Sequence, residues 1–300
     1  MKIKNVLLCG LGAVGLTYAN KLKDICSLKI LADVSRIEKY KKQIPQFNGK
    51  KIKFDYITPE EKWTPDLIII ATKSNGLDSA IEYIKNYVNN NTIIISLING
   101  ISSENKIAEK YGFDKILYSY FIGHSAMREK NKVTQDGVGK IVFGSPYSYN
   151  TGKVKCLENF FRENHIDYEI PEDIIYSMWL KFTLNLFSNQ GSAIMKLTFG
   201  EMKRDIFREF SKKIIKEVIN IAEVEGIKNA KNLERDSINA LLKMVDNGKT
   251  SMLQDILAKR KTEVDIFAGE IIKLGQKHNI PVPYNQVMYD IIKTMEGVNK

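Results

Sequence analysis

Three polar side chains recur at four-residue intervals in the otherwise apolar stretch WLKFTLNLFSNQGSAI, which begins at Trp179. Lys181, Asn185 and Asn189 would share one face of an α-helix, because residues four apart are neighbours on a helix surface. Trp179, Leu184 and the other apolar neighbours predict that most of this helix is buried. Burying an unpaired lysine costs free energy. Chains seldom bury a lysine without a reason, so this polar stripe is a candidate functional face.

A glycine-rich turn near the N-terminus provides a second set of candidate residues. Gly10, Gly12 and Gly15 have the spacing G-x-G-x-x-G, between a run that predicts a strand and a segment that predicts a helix. This context is the one that a dinucleotide fingerprint requires. The glycines permit a tight turn, close approach of a pyrophosphate and close helix packing, and the helix N-terminus attracts phosphate. The residues expected to bind the cofactor here are Gly10, Leu11, Gly12, Ala13, Val14 and Gly15.

Polar residues follow each of the next three predicted strands. Asp33 lies near the position, about 20 residues after the glycines, where an acid binds the adenosine ribose. A carboxylate there favours NAD(H), because it repels a 2′-phosphate, although Ser35 and Arg36 beside it could hold one. Asp33 could instead be a turn residue at the strand end. Lys73 and Asn99 follow the third and fourth strands, where α/β proteins place ligand contacts.

The first half of the chain alternates strands and helices, which predicts a parallel sheet. Runs at 115–122, 132–135 and 139–143 predict an antiparallel extension, with a turn at Asp136-Gly137. His124 falls in a loop near the expected site and is a candidate contact for substrate or cofactor.

From about residue 170 the periodicity becomes helical, and Pro171 suits the first turn of a helix. The predicted fold class is therefore α/β. An N-terminal Rossmann-type dinucleotide-binding domain (1–168) is followed by an all-helical C-terminal domain (169–300).

Ser251 and Glu263 belong to a third polar segment, TSMLQDILAKRKTEVDIF. In one continuous helix they would be about 18 Å apart, too far to contact one small molecule together. Thr262 has the character of an N-cap, so we expect a helix to begin there and residues 251–261 to be partly irregular. Alternatively, Ser251 is itself a helix cap, with Gln254 three positions later.

Composition limits the classes of function. The net charge is +10, but the lysines are scattered and no nucleic-acid-binding signature accompanies them. A lysine-rich solvated surface explains the charge, and a phosphate-bearing cofactor fits it. No apolar run approaches the roughly 18 residues of a membrane span, and no signal peptide is evident. Cys9, Cys26 and Cys156 have no metal or disulfide spacing. We therefore expect a cytoplasmic protein without a metal, a nucleic-acid partner or a membrane partner.

Five segments together resemble the ketopantoate reductase (2-dehydropantoate 2-reductase) family over nearly the whole chain. They are GLGAVG at 10–15, ATKSNGLDSAI at 71–81, NGI at 99–101, LKFTLNLFSNQGSAI at 180–194 and SMLQDILAKRKTEVDIFAGEI at 251–271.

The resemblance implies reduction of 2-dehydropantoate to (R)-pantoate by hydride transfer from a nicotinamide cofactor, in pantothenate and coenzyme A biosynthesis. It implies that Lys181 is the general acid at the carbonyl oxygen, and that Glu263 accepts from a substrate hydroxyl and pairs with Lys181. The substrate-binding residues that it implies are Asn99, Asn185, Asn189 and Ser251. The cofactor-binding residues that it adds to the glycine turn are Lys73, Asn99 and Glu263.

The sequence departs from the family pattern at one position. Many members have an arginine at the end of the second strand, which suits NADP(H), whereas Asp33 stands there and favours NAD(H). The main alternative is a reductase of the same architecture that acts on a different 2-keto acid. A non-catalytic nucleotide sensor would need neither Lys181 nor Glu263. The pattern is compatible with a homodimer but does not determine the oligomeric state.

Overall fold

The computed structural model describes residues 2–123, 125–137 and 139–298, so the predicted contact His124 lies outside the described residues. The chain forms two compact units. The first contains the residues up to Asn99 together with Ser103–Ile174, and the second contains Gly100–Ser102 and the residues from Ile175 onwards. The domain limits 1–168 and 169–300 remain a prediction from sequence pattern.

The first unit contains strands and helices in alternation. Its strands are β1 Asn5–Cys9, β2 Ser27–Leu31, β3 Gln46–Phe47, β4 Lys50–Lys51, β5 Asp55–Ile57, β6 Leu67–Ile70, β7 Ile93–Ser96, β8 Ile116–Ile122, β9 Ser125–Glu129, β10 Lys132–Asp136, β11 Lys140–Gly144 and β12 Tyr168–Glu169. Its helices are α1 Ala13–Leu22, α2 Val34–Lys42, α3 Leu77–Tyr83, α4 Ser103–Tyr111 and α5 Thr151–Glu163.

Eight strands form the central sheet, in the order β12-β11-β8-β7-β6-β1-β2-β5. The six strands from β8 to β5 in this order are parallel, which confirms the predicted α/β class. Their succession along the chain is the 3-2-1-4-5-6 order of dinucleotide-binding sheets. The order reverses between β1 and β6, and ligands of such sheets bind at the carboxyl ends of the strands on either side of this point.

The apolar runs of the sequence explain why this sheet is buried on both faces. Every residue of β6 and β7 is buried, as in parallel sheets that are covered by helices on both sides. Successive side chains of β1 alternate between two cores. Val6 and Leu8 pack in the core on one face, and Leu7 and Cys9 pack in the core on the other.

The antiparallel extension differs from the prediction. Strand β11 pairs antiparallel with β8, but β10 pairs with β9 and β3 in a separate sheet of order β4-β3-β10-β9. Strand β10 is therefore not part of the antiparallel extension of the main sheet, and that part of the prediction was wrong. Gly137 adopts a φ of +81°, a conformation that favours glycine and is compatible with the predicted turn. Contacts with other strands, one of them distant in the sequence, determine the pairing partners of β10. The buried Val133, for example, pairs with Arg128 on β9 and with Phe47 on β3.

The second unit is helical, as predicted. Its helices are α6 Ile174–Met195, α7 Phe199–Met202, α8 Asp205–Val224, α9 Leu233–Leu242, α10 Ser251–Leu257, α11 Ala268–His278 and α12 Pro283–Val298. Helix α8 ends before Gly226, which has a φ of +76°. Helix α6 begins at Ile174, so Pro171 precedes the helix rather than occupying its first turn. Among the described residues, no helix is both long enough and apolar enough to cross a membrane.

Candidate active site

The glycine turn lies where the order of the parallel strands reverses. It connects β1 to α1, and Gly10 adopts a φ of +98°, which L side chains rarely adopt. A Cβ at Gly10 would lie 2.7 Å from the Ala71 carbonyl oxygen, at the end of β6. A Cβ at Gly15 would lie 1.9 Å from the Gly10 carbonyl oxygen. Both glycines are therefore required by the packing of the protein itself.

Gly12 is different, because the protein has room for a side chain there. Its backbone is extended (φ −70°, ψ −166°), and a Cβ would meet only the Ala71 carbonyl oxygen, at 3.7 Å. Gly12 is the N-cap of α1, where Ser, Thr, Asp or Asn would normally stabilise the helix, yet no side chain caps it. The absence of a side chain suits a phosphate at the helix N-terminus. The turn therefore fits the dinucleotide that the fingerprint predicts.

Asp33 follows β2 and is the N-cap of α2. Its Oδ1 accepts from the Ser35 hydroxyl at 2.6 Å and from the Arg36 N–H at 2.8 Å. These two hydrogen bonds lower the pKa of the carboxyl group, so that it is ionised at neutral pH. The Arg36 Nε lies 4.0 Å from Oδ2. Asp33 is thus a turn residue at the end of a strand, which was the alternative interpretation. It also places a negative charge at the position predicted to bind the ribose.

Lys73 and Asn99 both lie just beyond the carboxyl ends of parallel strands, as predicted. Lys73 is exposed and precedes a 3₁₀ turn at Ser74–Gly76, directly after β6. Asn99 is half-buried and follows β7. The next residue, Gly100, has a φ of +102°. The side chains of Lys73 and Asn99 are therefore placed along the edge of the sheet at which ligands of this fold bind.

Helix α6 carries Lys181, Asn185 and Asn189 along one face. Lys181 and Asn185 are half-buried, and among the described residues no group forms a hydrogen bond with the Asn185 amide. Trp179 on the same helix packs against Phe182, with ring centroids 5.9 Å apart.

Hydrogen bonds fix the orientation of the Asn189 amide. Its Oδ1 accepts from the Ser251 hydroxyl at 3.1 Å and from the Met252 backbone N–H at 3.2 Å. A backbone N–H can only donate, so the accepting atom must be oxygen and Nδ2 must lie on the other side. Within the described part of the chain, Nδ2 has no hydrogen-bond acceptor. Asn189 therefore has its acceptor occupied and its two donors available.

Ser251 is the first residue of α10 and not its cap. Thr250 is the N-cap, and its hydroxyl oxygen accepts from the Leu253 N–H at 3.2 Å. Thr250 Oγ1 also lies 2.5 Å from Ser192 Oγ on α6. The capping alternative for Ser251 was therefore wrong. The expected break in the helix is present, because α10 ends at Leu257 and residues 258–261 lie outside any helix. Because Thr250 provides the cap, the Ser251 hydroxyl is free to bond to Asn189.

Glu263 lies on a separate element from Ser251. It is half-buried and directly precedes a 3₁₀ turn at Val264–Ile266, while α11 begins only at Ala268. Thr262 therefore does not cap an α-helix. Its hydroxyl donates to Glu296 Oε1 at 2.6 Å and accepts from the Val264 N–H at 3.3 Å. The pairing of Glu263 with Lys181 stays a prediction.

Two groups of supporting residues were not found from the sequence. Thr250 and Ser192 tie the start of α10 to α6, and only the dipeptide Thr250-Ser251 hinted at a cap. In the first unit, Ser103 Oγ lies 2.9 Å from Ser96 Oγ and donates to Glu104 Oε2 at 2.8 Å. Ser96 Oγ also accepts from the Ile98 N–H at 3.4 Å. These buried groups stabilise the backbone that leads to the predicted site residue after β7.

Two family comparisons cover most of the chain. Residues 6–147 match the family described as "Ketopantoate reductase PanE/ApbA". Residues 173–296 match "Ketopantoate reductase PanE/ApbA C terminal".

Individual relatives agree with the family matches. A 2-dehydropantoate 2-reductase from Pyrococcus horikoshii is 27% identical over 301 residues, with 98% of each chain covered. One from Vibrio cholerae is 24% identical over 231 residues, covering 77% of this chain and 78% of its own. These names support an oxidoreductase.

Solved structures share the fold. A ternary structure of D-mandelate dehydrogenase with NADH and anilino(oxo)acetate has a TM-score of 0.86 at 21% identity, covering 98% of this chain and 99% of its own. A dimeric ketopantoate reductase from Staphylococcus aureus has a TM-score of 0.76 at 20% identity, covering 99% and 100%.

Proposed function

The chain belongs to the ketopantoate reductase family, and from that premise we propose that it reduces 2-dehydropantoate to (R)-pantoate with a nicotinamide cofactor. The product would enter pantothenate and coenzyme A biosynthesis. One observation carries the proposal: one face of α6 carries the Lys181 amine and, two turns along, the Asn189 amide, whose acceptor is already occupied. A 2-keto acid offers carbonyl and carboxylate oxygens, which only accept hydrogen bonds. A face made of donors is complementary to such a molecule.

In this proposal Lys181 is the general acid. When bound, the reduced nicotinamide supplies the hydride that the carbonyl carbon receives. The Lys181 ammonium group donates a hydrogen bond to the carbonyl oxygen and then transfers its proton, so that an alcohol forms rather than an alkoxide. The positive charge of Lys181 also stabilises the negative charge that develops on this oxygen.

The remaining polar groups orient the substrate. Asn189 would donate from Nδ2 to a substrate oxygen, with its orientation held by Ser251 and the Met252 N–H. Asn185 would add a second amide on the same face. Glu263 would accept from a hydroxyl of the substrate and pair electrostatically with Lys181. Asn99 and Ser251 are the other proposed substrate contacts.

The first unit would provide most of the cofactor contacts. The turn from Gly10 to Gly15 would bind the pyrophosphate through backbone N–H groups, and Lys73, Asn99 and Glu263 would contact the cofactor nearer the reacting end. We propose a preference for NADH over NADPH, because the ionised Asp33 would repel a 2′-phosphate. Arg36, 4.0 Å away, only partly compensates this charge.

Parallel assays test the reaction and the cofactor preference. Purified protein is mixed with 2-dehydropantoate, and oxidation of NADH and NADPH is followed by absorbance. We expect rapid oxidation of NADH, slower oxidation of NADPH, and a shift toward NADPH in Asp33→Asn. A higher kcat/KM with NADPH in the wild type would contradict the role given to Asp33. Oxidation of neither cofactor, with cofactor binding intact, would contradict the substrate assignment.

The second candidate is a reductase of the same architecture that acts on another 2-keto acid. Lys181 and Asn189 would serve any such substrate, since both recognise oxygens common to the class. A panel of 2-keto acids with branched, linear and aromatic side chains distinguishes the two candidates by kcat/KM.

A homodimer is our proposed assembly, supported by the dimeric Staphylococcus aureus structure. Light scattering after size-exclusion chromatography measures it directly, and a monomeric mass would contradict it.

A further inference from the structure

A cavity of about 660 Å³ opens on the first unit, at the C-terminal end of α1. It is lined by the end of α1, the β3–β4 turn and the segment after β4. Four of its lining residues are lysines: Lys23, Lys50, Lys51 and Lys53. One is an acid, Asp24, so the formal charge of the lining is four minus one, or +3. The lysines of this segment were expected to be scattered over a solvated surface, but the fold gathers these four around one concavity.

The positive charge of this cavity is largely uncompensated. Lys23 pairs with Asp24. Among the described residues, no carboxylate oxygen lies within 4.0 Å of the Nζ atoms of Lys50, Lys51 or Lys53. Other lysines of the same unit do have acidic partners, in the pairs Lys106–Asp78, Lys110–Glu82, Lys115–Asp114 and Lys140–Glu169. Ammonium groups that outnumber the acids around one concavity repel one another, and an anion relieves that repulsion.

The frame that carries these lysines is well fixed. Asn48 and Gly49, with φ values of +46° and +81°, form the tight turn between β3 and β4. The Asn48 Oδ1 accepts from the Gln135 N–H at 2.8 Å, and the Asn48 N–H donates to the Val133 carbonyl at 2.9 Å. The turn is thus attached to β10. Half-buried Phe47 gives the cavity an apolar wall. A fixed frame reduces the entropy cost of binding.

This cavity is separate from the glycine turn. Gly12 is the N-cap of α1, and Lys23 is its C-cap. The ten residues of the helix between them span about 15 Å. A dinucleotide pyrophosphate at the helix N-terminus therefore leaves the lysines at the other end of the helix unused.

We propose that this cavity binds a small polyanion with two or three phosphate groups, at a site distinct from the cofactor site. The phosphates lie on Lys23, Lys50, Lys51 and Lys53, whose ammonium groups act as compact point charges. Any apolar portion of the ligand lies against Phe47. The lining charge of +3 is comparable to the charge of a di- or triphosphate. The inference is independent of the proposed reaction, because it uses none of the residues assigned to it.

Isothermal titration calorimetry with inorganic tripolyphosphate tests the site. The wild type is titrated at low ionic strength, alone and with saturating NAD⁺ or NADP⁺. We expect one binding event that persists with either nucleotide present. In K50Q/K51Q/K53Q the affinity falls at least tenfold, and in Asp24→Asn it rises at least twofold, because a repelling charge is removed. The matched control K216Q/K228Q/K243Q removes three exposed lysines of the helical unit and changes the affinity less than twofold.

Three results would overturn the proposal: no binding to the wild type, equal losses in the two triple variants, or loss of binding when nucleotide is present. The last would place the anion at the glycine turn. Thermal unfolding of each variant verifies that it is folded. No turnover is measured, so failure of the proposed reaction leaves this test unaffected.

Discussion

Replacement of Gly12 by alanine should weaken cofactor binding without changing the stability of the fold. A Cβ at Gly12 would make only one contact, at an ordinary van der Waals distance of 3.7 Å, and its φ of −70° is accessible to alanine. Alanine is a poorer N-cap than glycine by about 0.5–1 kcal/mol. Alanine also has less conformational entropy than glycine in the unfolded chain, which stabilises the folded state by about 0.4–1 kcal/mol. We therefore expect the free energy of unfolding of Gly12→Ala to lie within about 0.5 kcal/mol of the wild-type value.

The same methyl group would stand where the pyrophosphate approaches the helix N-terminus. Loss of one charge-assisted hydrogen bond from a backbone N–H costs about 1.5–3 kcal/mol. This corresponds to a loss of about 10- to 150-fold in affinity. The expected phenotype is a normally stable protein that binds its nicotinamide cofactor poorly.

Gly10→Ala is the matched control. Its φ of +98° costs an alanine about 1–2 kcal/mol, and the 2.7 Å approach to the Ala71 oxygen adds about 1–3 kcal/mol. A loss of about 2–5 kcal/mol lowers Tm by at least about 4 °C in a protein of this size. Thermal unfolding without cofactor and calorimetric titration with NADH and NADPH measure both properties. Equal destabilisation by Gly12→Ala and Gly10→Ala, or unchanged cofactor affinity in Gly12→Ala, would refute the reasoning.

Three further substitutions test the helical unit. Lys181→Ala should lower kcat by about 10²–10⁴-fold while cofactor affinity stays the same, because a general acid acts in the chemical step; an unchanged kcat would exclude this role. Asn189→Asp keeps an oxygen for the Met252 N–H but replaces two donors with a negative charge, so KM for the keto acid should rise at least tenfold in protein that thermal unfolding shows to be folded. An unchanged KM would remove Asn189 from the substrate contacts. Glu263→Ala should mainly raise KM for the keto acid, measured by steady-state kinetics with saturating cofactor. A loss confined to cofactor affinity would contradict the substrate contact proposed for Glu263.

Much of the first unit follows from local pattern. Buried strands such as β6 and β7 read as continuous apolar runs, and the glycine spacing placed the turn after β1 correctly. The assignment of 132–135 to the antiparallel extension shows the limit of such reasoning. A turn dipeptide predicts that the chain reverses there, but the partner of each strand depends on distant residues such as those of β3.

The helical unit was predictable in type but less so in its details. The face of α6 that carries Lys181 follows from four-residue spacing. The start of α10 does not, because Thr250 and Ser251 are equally good caps by type. The choice depends on which hydroxyl meets Ser192 and which meets Asn189. Such contacts join residues about sixty positions apart, and no local pattern encodes them.

The two structural glycines of the fingerprint have a consequence for how descendants of such a protein would change. If a lineage lost the need for a dinucleotide, purifying selection would still retain Gly10 and Gly15, because substitution at either would compromise folding. Only Gly12 would be released to drift. A motif search would continue to score such a degenerate chain highly on two of its three glycines. A substitution at the middle glycine, Gly12, would therefore be the sequence change that indicates loss of nucleotide binding.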